Sequence, residues 1–506
     1  MSLAKELFIE TKKHRRRFNI LIFALVIVAE MAFIYGNYHG KADLSGGWML
    51  LFYNIPIMNC MFFSVAIAGF ASRLMDIEHK GEMLKCLYTF STPQRIYFTK
   101  YLYCAKSILI LVAMQCGSIL LCCRMLGFES NFPSKYLIIH GITTFITCIA
   151  LLSIQLPLSF FYRNQAVSIC VGIIGSFISV FSLFLPETFL QKLIPWTAFV
   201  TSGFIQLDWD RDTRESKFFI EKANYLPVLI CLCWIILSIG LTLILLKKSG
   251  VEEHEKIASG KKTSRIILHK RPVELLKLKG SPAWIAFFIV PAISAAIGTV
   301  NYLGNIDILK DGWYSLWTQH TLFLCYFFMP VIIGIFTGCI WRVEHSGTNM
   351  NLIMTHQTPA KIVLSKYVAT CFITSVSLSW VMTLYLISGS IIHMDGKLPS
   401  GLLLWLVMGI LGSWSICALQ VFVSLVIRNF VLPIILAFLS GFAGLVCIAK
   451  GVPYLTPYSL FDLAMNQKEL GTADIGLFII SSIVYITVSI VAAILYLNHA
   501  DVRTNE

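Results

Sequence analysis

Residues 76–101, DIEHKGEMLKCLYTFSTPQRIYFTKY, recur without a gap at 342–367 as RVEHSGTNMNLIMTHQTPAKIVLSKY, an offset of 266. Nine of the 26 positions are identical: Glu78/Glu344, His79/His345, Gly81/Gly347, Thr89/Thr355, Thr92/Thr358, Pro93/Pro359, Ile96/Ile362, Lys100/Lys366 and Tyr101/Tyr367. Ordinary composition would match about one or two. A second match lies at an offset of 265, where Gln155, Ser159, Arg163 and Asn164 correspond to Gln420, Ser424, Arg428 and Asn429 in a Q-x3-S-x3-R-N pattern. Upstream, Glu6-Leu7 and Glu274-Leu275 each head an amphipathic stretch. The chain therefore reads as two copies of one unit: a first half over 1–248, a charged linker over 249–272 and a second half over 273–506.

Composition says what kind of unit this is. Of 506 residues, 57% are hydrophobic and only 13% charged, about half the charged share of a soluble domain. With a mean hydropathy of +0.76, a soluble chain could not cover its own surface. Twelve apolar stretches are long enough for a hydrocarbon core about 30 Å thick: 18–37, 49–71, 102–123, 136–159, 166–186, 225–246, 282–303, 316–340, 366–392, 401–424, 430–449 and 475–497. The expected fold is an all-α integral membrane protein, twelve transmembrane helices arranged as two parallel six-helix repeats. An even number of spans separates equivalent positions, so the halves share one orientation. The net charge of +13 sits on alternate loops: the N-terminal segment, the 71–101 loop and the 247–281 connector. By the positive-inside rule both termini and the connector face the cytoplasm of a plasma membrane, and nucleic acid is not the partner of these bases. The 15 cysteines lie mostly in apolar runs, where they pack as small hydrophobes.

The repeated stretch follows the second span of each half. Pro93 and Pro359 push the preceding threonine out of the helical region and suit the first helical turn that follows. Thr92 and Thr358 are thus expected as N-caps. Segments 79–90 and 345–356 are long enough for a short helix across the membrane surface, a handle for a soluble partner. Glu78 and Glu344 are placed to meet a basic group on that partner or to cap the short helix.

These features resemble the ABC transporter type-2 permease family: the basic amphipathic stretch before the first span, the E-to-T-P-x-x-x-h-x-x-K loop after the second, and the R-N turn after the fourth. The six-span permeases of lantibiotic-immunity exporters are the most similar, although those are separate chains and here two halves are fused. The resemblance implies that the loops bearing Glu78, His79, Gly81, Thr92 and Pro93, and Glu344, His345, Gly347, Thr358 and Pro359, are coupling helices. They would press on two copies of a separate ABC ATPase, one per loop. It also makes 3–17 and 273–281 interfacial elbow helices, and places ATP and Mg on the partner rather than on this chain.

No catalytic residue, resident cofactor or metal site is expected. Ala258-Ser259-Gly260-Lys261-Lys262-Thr263 lacks the first glycine of a phosphate loop, and Lys262 holds its Ser/Thr place. His254 has no second histidine at helical spacing for zinc. Arg163 and Arg428, ending the fourth spans, either anchor by snorkelling or make a second contact with the ATPase. Glu30, Asn59, Gln155 and Gln420 are the polar groups in spans that could line a substrate path; Glu30 is either a contact for a cationic substrate or a hydrogen-bonded structural glutamate, and the amides equally suit helix-to-helix glue. The acidic and aromatic 187–224 loop, with Trp196, Phe199, Phe204, Trp209, Asp208, Asp210, Asp212 and Glu215, suits a cationic peptide or an ordinary interfacial belt. The competing readings are an ATP-independent twelve-span secondary carrier or channel, and a scaffold that only recruits a cytosolic protein.

Overall fold

The computed structural model describes residues 3–14, 19–38, 47–79, 83–128, 133–162, 165–182, 189–209, 216–222, 224–256, 284–345, 349–468 and 471–499. They form two compact units, 1–264 and 265–506. Ten helices are long and apolar enough to cross a membrane, and the apolar stretches Ile22–Gly36 and Val167–Val180 complete twelve.

In the first unit a surface helix α1 (Leu3–His14) precedes α2 (Asn19–Tyr38) and α3 (Met49–His79). A short α4 (Met83–Tyr88) leads to α5 (Pro93–Met125), then α6 (Ser134–Phe161) and α7 (Gln165–Ser182). Two short helices, α8 (Phe189–Leu193) and α9 (Ala198–Thr201), follow. Strands β1 (Ile205–Trp209) and β2 (Ser216–Ile220) form an antiparallel hairpin in which Ile205 faces Ile220 and Asp208 faces Lys217. Asp210, Asp212 and Glu215 of the acidic loop lie outside the described residues. The last span, α10 (Leu226–Lys256), continues as helix past the 248 boundary expected for the linker; the rest of the linker and the 273–281 elbow lie outside the described residues.

The second unit repeats the order: α11 (Ala286–Gly304), α12 (Trp313–Glu344), short α13 (Asn349–His356), α14 (Pro359–Ile391), α15 (Leu402–Val426), α16 (Val431–Ala449), α17 (Pro457–Asn466) and α18 (Thr472–His499). The packing repeats as well. The second span of each unit is the enclosed one, with 83% of the apolar window of α3 and 89% of that of α12 buried by protein, whereas the sixth spans α10 and α18 are buried over only 22%. Each second span packs on the fourth and fifth spans of its own unit.

Two local features depart from regular helix. Within α12, Leu324–Phe328 is wound as a π-helix. Pro330, four residues after Tyr326, has no N–H to give to the Tyr326 carbonyl. That carbonyl meets α16 at Gly441, where a Cβ would stand 1.9 Å from it. In α17, all of Pro457–Met465 is buried. Helix α17 folds back against α12, α15 and α16, and its start is fixed by a capping box between Thr456 and Ser459. Helix α17 is therefore part of the helical core.

Candidate functional site

The repeated stretch builds the same turn twice. In the second unit α12 ends at Glu344, α13 runs across, and α14 starts at Pro359. Thr358, at φ −69° and ψ 148°, accepts from the Lys361 amide through its side chain at 3.4 Å. Thr92 has the same extended backbone, at φ −72° and ψ 148°, but its side chain makes no cap bond, so only one of the two expected caps is made. Thr89 and Thr355 each bond the carbonyl three residues back, at 2.6 and 2.7 Å, which tightens the short helices.

The largest correction concerns Glu78 and Glu344. Both side chains are buried within the bundle rather than turned outward. Lys366 Nζ lies 2.9 Å from Glu344 Oε1, and Lys100 Nζ lies 2.6 Å from Glu78 Oε1. A glutamate at the very end of the second span is thus clasped by a lysine two turns into the third, across the turn that carries the short helix. The physical reason is desolvation: at the edge of an apolar bundle a buried carboxylate is tolerated only with a charge partner. Lys366 also sits 4.8 Å over the Trp341 ring. The lysines belong to the nine identities, yet their pairing is invisible until the helices are antiparallel neighbours.

The histidines beside the glutamates tie the turn to the fourth span. His79 Nε2 meets the Ser159 carbonyl at 2.9 Å, and His345 Nε2 meets the Ser424 carbonyl at 3.3 Å. Each serine comes from the Q-x3-S-x3-R-N pattern, so the two repeated sequence blocks touch within each unit. Burial, opposed by the bond to Ser424 and reinforced by the charges of Arg428 and Lys366, holds His345 below its ordinary pKa of 6.5. Arg428 is exposed near His345, and Arg342 stacks on Phe430 with 5.7 Å to the ring centre. Arg163, Gly81 and Gly347 lie outside the described residues.

In the first unit α1 adds a third layer. Arg95 Nε is 2.9 Å from Glu6, Lys100 Nζ is 2.7 Å from Glu10, and Lys13 pairs with Glu78. His14 lies 3.2 Å from Glu10 and stacks on Tyr103. Burial alone would raise the Glu10 pKa, but the bond to His14 and the charges of Lys100 and Lys13 outweigh it and bring it from 4.5 to about 2. The amphipathic stretch headed by Glu6 is thus bolted to the clasp.

The outer faces of the short helices are open. Met350, Ile353 and Met354 of α13 pack on Trp341, Val363 and Val421, while Leu352 is 63% exposed. Thr355, His356 and Gln357 are also exposed. Phe90, just after α4, is 84% exposed.

The four polar groups expected along a path do not form one group. Glu30 and Asn59 are joined through Gln115, whose Nε2 is 2.8 Å from Glu30 Oε2 and 2.6 Å from Asn59 Oδ1. Gln155 instead binds Ser168 of α7 at 2.7 Å, and Gln420 binds the Tyr458 hydroxyl at 2.7 Å; both are helix glue. Among the polar span residues, Gln115 reads from sequence as helix glue like the other amides, while sequence reading missed His140 and Asp462. Asp462 is buried in α17, accepts from the Tyr326 hydroxyl at 2.6 Å and pairs with Asn466. Among the described residues no three His, Cys, Asp or Glu are grouped to hold a metal.

The family model described as "ABC-2 family transporter protein" matches the chain twice, over 7–179 and 272–444. No curated protein matches it. No solved structure matches it either.

Proposed function

The chain belongs to the ABC-2 transporter family, and on that premise we propose that it is the transmembrane permease subunit of an ATP-driven exporter, with two permease halves in one polypeptide. Two copies of a separately encoded ABC ATPase dock on it, one at each repeated turn, and bind the ATP and Mg that drive the cycle. The turns and both termini face the cytoplasm, as the distribution of basic residues supports. The cargo is a cationic amphipathic peptide of the lantibiotic type, taken from the membrane or carried across it. The resemblance to lantibiotic-immunity permeases and the acidic, aromatic 187–224 segment support that choice.

The observation that carries the reading is the doubled clasp. Each turn presents an open short helix outward, while beneath it a buried glutamate–lysine pair joins the second and third spans. A push on the short helix is then passed to two spans at once rather than absorbed by a loose loop. The test is co-purification with the ATPase encoded beside it, followed by ATPase and peptide-efflux assays on wild type and on Glu78→Ala/Glu344→Ala. Two ATPase chains per permease, with hydrolysis uncoupled from efflux in the double variant, is the expected result. A permease that binds no ATPase and moves solute along an ion gradient sinks the reading.

A further inference from the structure

A second buried carboxyl centre lies in the first unit, away from the turn. Glu30 of α2, Asn59 of α3 and Gln115 of α5 are wholly buried, and His140 of α6 is 3% exposed. Gln115 is the hub: Nε2 reaches Glu30 Oε2 and Asn59 Oδ1, while Oε1 lies 3.4 Å from both Asn59 Nδ2 and His140 Nε2. Four helices thus converge on one side-chain amide. Glu30 Oε1 is left over, buried and without a hydrogen-bond partner.

The contrast with the turns is informative. There every buried glutamate has a lysine, Glu78 with Lys100 and Glu344 with Lys366. Among the described residues no lysine or arginine pairs with Glu30. The titratable groups around it are His140 and the Cys148 thiol, both on α6 and both buried; α3 and α5 face it with the neutral amides of Asn59 and Gln115. A bare carboxylate in such a place is costly, because burial strips its hydration and no cation repays it. A proton cancels that charge and needs no cavity, which suits a site whose members are all enclosed. The centre is also confined to one half. At offsets of 265 and 266 Glu30 corresponds to Ala295 and Ala296, Asn59 to Cys325 at 266, Gln115 to Val381 at 266, and His140 to Trp405 at 265.

We propose that Glu30 is a proton-binding site of the first half. In the closed arrangement its carboxyl carries a proton on Oε1, with Oε2 accepting from Gln115, and the proton exchanges with water only when the helices around Gln115 part. The two halves then differ in kind: both carry a docking turn, and the first alone carries this carboxyl–amide centre. The proposal is independent of the cargo and of the ATPase.

The test is infrared difference spectroscopy on the purified full chain in lipid nanodiscs, comparing light and heavy water across a pH titration. A protonated-carboxyl carbonyl band that shifts down in heavy water is expected in wild type and in Asp462→Asn, and its loss is expected in Glu30→Gln. If Glu30→Gln does not fold, Gln115→Leu serves: the band should persist and move to higher frequency, because the amide donor to Oε2 is gone. Absence of such a band at neutral pH overturns the proposal. So does a band that survives unchanged in Glu30→Gln or does not move in Gln115→Leu. A stabilisation by sodium in place of the band would assign the site to a metal cation instead.

Discussion

Lys366 Nζ stands 2.9 Å from Glu344 Oε1, with both side chains 1% exposed. Lys100 and Glu78 repeat the contact at 2.6 Å. In the first unit Glu78 is shared between Lys100 and Lys13, and Lys100 between Glu78 and Glu10.

Removing both lysines from Glu78 should expose that sharing. Lys13→Ala/Lys100→Ala leaves Glu78 buried without either lysine and should cost about 3–5 kcal/mol. Lys100→Ala alone leaves Lys13 on Glu78 and should cost clearly less. Thermal unfolding of the purified variants in one detergent checks the order; equal losses would refute the redundancy.

Acid should release α1. The Glu10 pKa is lowered in the folded chain, so its contribution to stability is present above 4.5 and is lost as pH falls toward about 2. Hydrogen exchange of residues 3–14 should accelerate across that window in wild type. In Glu10→Gln it should already be fast at neutral pH.

His345 titrates with the same sign from a higher start. Its pKa is lowered from 6.5, so the folded state favours the neutral ring, and stability falls as pH drops below 6.5 toward the lowered value. The unfolding temperature of wild type should fall over that range more than that of His345→Gln.

The open faces of the short helices should matter for partner binding and not for folding. Phe90→Asp and Leu352→Asp replace side chains that are 84% and 63% exposed, so the unfolding temperature should hold within the effect of a surface change, about 0.5 kcal/mol. Retention of the ATPase on the purified permease should drop by at least tenfold in the double variant. Undiminished retention would place docking elsewhere.

Gly441 is required by the π-wound segment. A Cβ there would stand 1.9 Å from the Tyr326 carbonyl, a backbone atom that cannot step aside, so Gly441→Ala should cost about 1–3 kcal/mol or more. Gly117 of α5 has nothing within 4 Å of the added atom. Gly117→Ala should be neutral or stabilising by about 0.4–1 kcal/mol. Unfolding temperatures of the two variants provide the comparison.

The linear order of apolar runs, the 266-residue recurrence and the Thr-Pro breaks were enough to read twelve spans, two repeats and a short helix after each second span. Those features are local or periodic, and a hydrocarbon solvent enforces them almost residue by residue, because every backbone group must bond within its own helix. Three of the nine identities, Glu78/Glu344, His79/His345 and Lys100/Lys366, make matching contacts in the two units. What each identity touches was not legible. Glu78 and Glu344 read as outward handles because acidic side chains near a membrane surface normally seek water. Only the packing of second span against third brings Lys100 and Lys366 to them and turns a handle into a clasp. The same holds for Gln115, whose neighbours come from α2, α3 and α6, and for α17, which is buried because α12, α15 and α16 surround it. Composition and period specify which segments become helices. Which polar groups share one dry space is decided by helix-to-helix packing, and there the desolvation of each charge selects its partner.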